Sequence, residues 1–229
     1  MNSPSSPARG RPARLDQART VKTALDLLNE SGLDALTMRR LADAVGAQAG
    51  ALYRYFATKQ DLLTAMAERM IEGVGAAAGP TGNGAGPTGD GDWSERVARV
   101  ARALRAALLA HRDGARVYAG THATGPNTLG FADSLVGVLR EAGFDDGEAA
   151  RALYAVVNFT VGHTLEEQAA LQPESEGPPA DAGGLHDAVV AGAYPHLSAT
   201  LPVLTSTDFT AHFEFGLRLL LDGLRAVRQ

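Results

Sequence analysis

The 229-residue chain contains no cysteine, which excludes disulfides, thiolate-held zinc and cysteine nucleophiles. No apolar run approaches the roughly 18 residues that a membrane-spanning helix needs, so no membrane partner is expected. The opening residues, MNSPSSPARG, hold no apolar secretory core, and a cytoplasmic protein is expected. The common catalytic signatures GxSxG and HExxH are missing. The Gly-rich run at 73–91 follows no strand pattern and leads to no Gly-Lys-Ser/Thr, so it is not a phosphate loop. The adjacent pair Glu166 and Glu167 would not face each other on a helix. No catalytic residue, and no enzyme, is expected. Strand alternation is almost absent, which leaves an all-α fold.

The charge that is present is unevenly placed. The net charge is −5. Residues 1–59 carry nine Lys/Arg against five Asp/Glu (+4), and the remaining 170 carry twelve against twenty-one (−9). A basic head on an acidic body suggests that the head alone meets a polyanion.

Along the chain, residues 1–14 are rich in Ser, Pro and Arg and read as a disordered basic arm. A head of residues 15–72 follows. Asp16 caps a helix with an apolar stripe at Val21, Ala24, Leu25, Leu27 and Leu28 that ends at Gly32. Thr37 caps a second, short helix stopped by Gly46. A third spans about Gln48 to Tyr53, and a fourth starts near Thr58. Residues 73–92 read as a Gly-rich linker. In the body, 93–229, helical periodicity predicts segments at 93–110, 113–121, 126–142, 145–170, 185–196 and 207–227, with a mobile loop at 172–184.

The segment from Leu36 to Leu63 carries the sharpest signal. Two short helices joined at a glycine form a helix-turn-helix whose second helix can enter a DNA major groove. Ala42, Val45 and Leu52 would pack the pair, with Leu33 and Leu36 seating it on the first helix. Thr37 can offer a hydroxyl to a phosphate, and Arg39 can reach a guanine edge bidentately. Arg40 reads as a backbone contact and Phe56 as core, while Lys59 would clamp a second phosphate.

The run LYRYFATK, Leu52 to Lys59, resembles the signature of the tetracycline repressor (TetR) family. That resemblance places Thr37, Arg39, Gln48, Ala49, Gly50, Ala51, Tyr53, Arg54, Tyr55 and Lys59 at DNA-facing positions. In the arm, ARGRPAR from Ala8 to Arg14 contains an RGRP core like that of AT-hook peptides, so Arg9, Arg11 and Arg14 are expected to bind DNA either in the minor groove or as a plain basic tail that raises affinity electrostatically. The likeness continues through HRDGARVYAGT (His111 to Thr121), Gly143-Phe144, ALYAVVNFTVGHTLEEQ (Ala152 to Gln168) and FEFGLRLLLDGL (Phe213 to Leu224). It implies a helix-turn-helix domain on a larger helical ligand-binding and dimerisation domain, of the subclass with a tetracycline-repressor-like C-terminal part. The implied function is a one-component repressor that binds a palindromic double-stranded operator as a homodimer and is released by a small-molecule effector.

The effector site implied comprises Tyr118, Thr121, His122, Ser134, Asn158, His163 and Glu166. Where the family's namesake holds magnesium through a histidine, this chain has Tyr118. A magnesium-chelated tetracycline is therefore not expected, and neither is any other cofactor; His122, His163 and Glu166 lack compact metal spacing. An antibiotic or polyketide-like effector, controlling an export or resistance gene, is expected by analogy. Helices 145–170 and 207–227 are apolar on more than one face, as an intersubunit four-helix interface or a fully enclosed core requires. A regulator or activator without an effector, or with a protein partner, stays open as the alternative.

Overall fold

The computed structural model describes residues 16–79, 92–171 and 182–228. Among these the chain forms eleven α-helices and one 3-10 helix, with no strand. The head comprises α1 (Gln17–Ala35), α2 (Met38–Ala44), α3 (Ala49–Leu52) and α4 (Lys59–Met70). Its helix starts are set locally. Asp16 accepts the Ala18 N–H, Thr37 accepts the Arg40 N–H, and Thr58 forms a reciprocal capping box with Asp61. Such caps satisfy N–H groups that no helix can pair internally. Gly32, at φ 78°, breaks α1 where its stripe ends, and a final turn continues to Ala35.

The body contains α5 (Asp92–Leu109), α6 (Gly114–Ala119), α7 (Pro126–Glu141), α8 (Asp146–Leu171), α9 (Ala182–Ala191), α10 (Pro195–Leu204) and α11 (Phe209–Val227). Helix α5 packs on α6, α7 and α8, and α8 packs on α11. One apolar cluster runs without interruption from Val21 and Leu25 in the head, through Met66 and Ile71 of α4, to Leu104, Leu135 and Leu217 in the body. Head and body thus share a core, with α4 the element common to both.

Two expectations from the sequence are corrected. Composition predicts a linker over 73–92, but Val74–Ala78 form a 3-10 helix packed against α5 and α7, with Val74 and Ala78 buried. Arg96 and Arg99 of α5 donate to the carbonyls of Ala78 and Ala77. Small side chains are what permit this seat: a Cβ on Gly75 would lie 3.2 Å from Phe131 Cα and 3.3 Å from Ser134 Oγ. Low apolar area, which suggests too little burial to order the segment, instead allows close approach. The remaining linker residues, 80–91, lie outside the described residues, as do 172–181 of the expected loop.

The second correction is at α10, which occupies 195–204, where the periodicity predicts the end of one helix at 196 and no other until 207. Pro195 opens it at a position whose N–H would be unpaired in any case. Helices α9 and α10 pack on each other and bury Val189 and Leu201, leaving Leu185, Val190, Tyr194, Leu197, Val203 and Leu204 exposed.

Candidate DNA interface and effector region

The helix-turn-helix forms as the sequence predicts. Gly46 sits in the turn at φ 67°, a conformation costly to any side chain with a Cβ. The turn is closed by Ala47 N–H to Ala42 O at 2.9 Å and Gly46 N–H to Asp43 O at 3.2 Å. Leu36, Leu41, Leu52 and Phe56 are completely buried and fix α2 and α3 against α1 and α4. With the apolar groups turned inward, the polar groups must face out. Arg39, Gln48, Gly50, Arg54, Tyr53 and Tyr55 are exposed, Tyr53 by 51% and Tyr55 by 40%. Ala49 and Ala51 are half-buried between them. Large aromatic rings left in water beside Arg54 have no packing role to explain them.

Three neighbours are held from within. The Thr37 oxygen accepts the Arg40 N–H at 3.1 Å, which leaves its hydroxyl proton free to be donated outward. Lys59 Nζ lies 3.4 Å from the Leu33 carbonyl, so the ammonium is anchored at the end of α1. Arg40, expected as a backbone contact, instead turns to α1: it donates to Ser31 Oγ at 2.7 Å and approaches Glu30 at 3.6 Å. Arg9, Arg11 and Arg14 lie outside the described residues.

The expected effector residues do not converge within one chain. Tyr118 is partly buried at the end of α6, and its phenol pKa is raised, first by burial and then by the charge of Glu68. Thr121 donates its hydroxyl to the Tyr118 carbonyl at 2.9 Å, and Ser134 donates to Gly130 O at 2.7 Å. Both hydroxyl protons go to backbone carbonyls, which leaves the two oxygens able only to accept. His122 is exposed. On α8 the inward row is Ala152, Val156, Thr160, Thr164, Glu167 and Gln168. Asn158 and Glu166 fall on the opposite, exposed row with Tyr154, because four-residue steps keep 154, 158, 162 and 166 on one face.

His163 faces α11, with Nε2 3.0 Å from the Phe209 carbonyl and its ring among Phe159 and Phe213. Burial, ahead of the opposing pull of the Phe209 carbonyl, holds its pKa below the usual histidine value. The neutral ring therefore donates from Nε2.

Tyr118, where the family's namesake has a histidine, presents a phenol that stays protonated and is a poor ligand for magnesium, and Glu166 lies on another face of the same chain. A groove of about 240 Å³ does exist between α5 and α11, lined by Ser94, Arg102, Glu214, Arg218 and Arg225. It is crossed by the bidentate Arg102–Glu214 pair at 2.7 and 2.8 Å, and none of the expected effector residues lines it.

What the sequence pattern does not reveal is the junction between head and body. Asp113 accepts the Leu33 N–H at 2.7 Å, Arg116 pairs with Asp34 at 3.3 Å, and Gln60 donates to Gly120 O at 2.7 Å. Glu68 of α4 accepts the N–H groups of Asn127 and Thr128 at 3.0 and 3.1 Å. Helix α6 and the start of α7 are thus the parts of the body that grip the DNA-facing head.

Comparison with known proteins agrees with this architecture. Residues 21–66 match the description "Bacterial regulatory proteins, tetR family", and residues 85–228 match "Tetracyclin repressor-like, C-terminal domain". The chain is 39% identical to tetracycline repressor protein class A from transposon 1721 of Escherichia coli over 211 residues, 92% of this chain and 91% of that protein. It is 79% identical to a solved possible TetR family transcriptional regulator from Streptomyces coelicolor A3(2), with TM-score 0.83 over 93% of this chain and 100% of the other. ActR of Streptomyces coelicolor, solved in complex with actinorhodin, is 32% identical, with TM-score 0.79 over 94% and 99% of the two chains. No helix among the described residues is long and apolar enough to cross a membrane. The chain belongs to the TetR family of bacterial transcriptional regulators: it is a ligand-responsive, DNA-binding repressor and not an enzyme.

Proposed function

We propose that the chain acts as a cytoplasmic homodimer that represses transcription from a palindromic operator, each protomer placing α3 in successive major grooves. The observation that carries this reading is the α2–α3 unit, with Arg39, Gln48, Tyr53 and Arg54 left in solvent over a fully buried base. Arg39, Gln48 and Arg54 would read base edges, and Thr37 and Lys59 would hold phosphates. Support for a second copy comes from the outer face of α8 and α11, where Tyr154, Phe215 and Leu219 are each more than half exposed. Apolar surface of that kind on paired long helices marks an interface.

The effector is an aromatic, polyketide-like molecule bound without magnesium. Support comes from the phenol at Tyr118 and from the actinorhodin complex of a relative. Tight packing of Gly75 on Phe131 and Ser134 favours the alternative, a regulator with no small-molecule effector or with a protein partner.

A mobility-shift assay on the intergenic DNA beside the chain's own gene tests both levels. A salt-sensitive shift with two protomers per duplex is expected. Its release by actinorhodin, but not by tetracycline with magnesium, supports the effector assignment. No shift at low salt refutes the operator reading, and a shift that no small molecule reverses favours the alternative.

A further inference from the structure

Glu68 is a carboxylate that the expected DNA and effector sites do not use. It lies near the C-terminal end of α4, nine residues after Lys59, which at 1.5 Å per residue puts it roughly 14 Å along the helix from the recognition unit. Its Oε2 accepts the Asn127 N–H at 3.0 Å and its Oε1 the Thr128 N–H at 3.1 Å, while Asn127 Nδ2 donates to the Glu68 backbone carbonyl at 2.9 Å. Helix α7 opens with Gly125, which offers no capping side chain, and Pro126, which has no N–H. The first two N–H groups that α7 can offer are therefore those of Asn127 and Thr128, and both are given to Glu68. Fit is close on the other side as well, since a Cβ on Gly125 would collide with the Glu68 carboxyl group. A carboxylate at a helix N-terminus is further favoured by the helix dipole.

The α4 core does not depend on this contact. Leu62, Met66, Ala67 and Met70 are buried by other neighbours, so trimming Glu68 leaves the helix seated but freer to tilt. We infer that Glu68 is a positioning residue of the DNA-binding head, its carboxylate clamped on the start of α7 so as to fix the tilt of α4 and the angle at which α2 and α3 meet DNA. The inference rests on the reading that α2 and α3 bind DNA. It also connects the head to the effector region, because the same carboxylate acts on the phenol of Tyr118.

The absence of cysteine makes the test direct. Cysteines at two exposed positions outside the proposed intersubunit face, Ala44→Cys and Ala106→Cys, carry spin labels on the full chain, diluted with unlabelled chain so that only distances within a protomer are read. Affinity is measured on the duplex that the wild-type chain itself selects from a random pool. Glu68→Ala is expected to broaden the head-to-body distance distribution and to weaken the selected duplex about tenfold, as loss of charge-assisted hydrogen bonds implies, with the salt dependence of binding unchanged. Gly125→Ala, which presses on the carboxylate from the opposite side, should broaden the distribution too. The Glu68→Ala/Gly125→Ala double variant should be no worse than Glu68→Ala, because the colliding group is gone.

An unchanged distribution in both single variants overturns the proposal, as does a broadened distribution with affinity within twofold of wild type. If the wild-type chain selects no sequence, the DNA reading fails. The labels still decide whether Glu68 fixes the head.

Discussion

Three energies meet at Asp113, on the seam between head and body, and substitutions there separate them. Its side chain is buried, accepts the Leu33 N–H at 2.7 Å and pairs with Arg116 at 3.3 Å, and its backbone is left-handed at φ 57°. Asp113→Ala leaves the Leu33 N–H without its acceptor, at about 1–3 kcal/mol. It also holds a Cβ residue without a local hydrogen-bonding side chain in the left-handed region, at about 1–2 kcal/mol. Because the Arg116 side chain is 47% exposed, its ion pair adds at most about 0.5 kcal/mol. The sum is about 2–5.5 kcal/mol, a fall of roughly 4–22 °C in Tm for a chain of this size. Asp113→Gly relieves the backbone but not the orphaned donor, so about 1–3 kcal/mol is lost. Asp113→Asn retains an acceptor and tolerates the left-handed conformation, so its cost is about 1 kcal/mol. Scanning calorimetry at one fixed protomer concentration, needed because association shifts Tm, should rank Ala below Gly and Gly below Asn. If Asn proves as damaging as Ala, the hydrogen bond to Leu33 is not the main energy at this junction and the reasoning is wrong.

Other consequences can be checked in parallel. Arg39→Ala should relax base preference at one operator position by about 1–3 kcal/mol. Lys59→Ala should weaken all sequences alike and lower the salt slope by about one, both read by titration on a set of mutated duplexes. The Arg105–Glu167 pair is bidentate, at 2.7 and 2.8 Å, with side chains only 14% and 8% exposed. Glu167→Ala, which strands the arginine, should cost about 3–5 kcal/mol in denaturant titration, whereas replacing both residues by apolar ones should cost far less. Burial lowers the pKa of both His163 and His111 in the fold. The unfolded chain then binds more protons below about pH 6.5, so stability is complete above that value and is lost as pH falls toward the folded pKa values. His163→Asn should flatten the slope of denaturation midpoint against pH between about 7 and 5.

Much of the head is legible in local chemistry alone. Asp16, Thr37 and Thr58 cap helices because a side-chain oxygen two or three residues away is the nearest acceptor for an unpaired N–H. Gly46 turns the chain because of its own backbone freedom, and the spacing of Val21, Ala24, Leu25 and Leu28 is the helical period itself. These effects act within about one helical turn, so sequence alone determined the helix-turn-helix and which of its residues face solvent. Tertiary packing decided the rest. The seat of Val74–Ala78 on α7 depends on space left by Gly130 and Phe131, which lie far along the chain. The same holds for Asn158 and Glu166, which the resemblance grouped with Tyr118 but which the inward row of α8 turns to the opposite side. The grip of Asp113 on Leu33 and of Glu68 on α7 joins residues 80 and about 60 positions apart. No spacing rule encodes such pairs, because each exists only where two helices with their own local reasons to form are brought together by a shared apolar core.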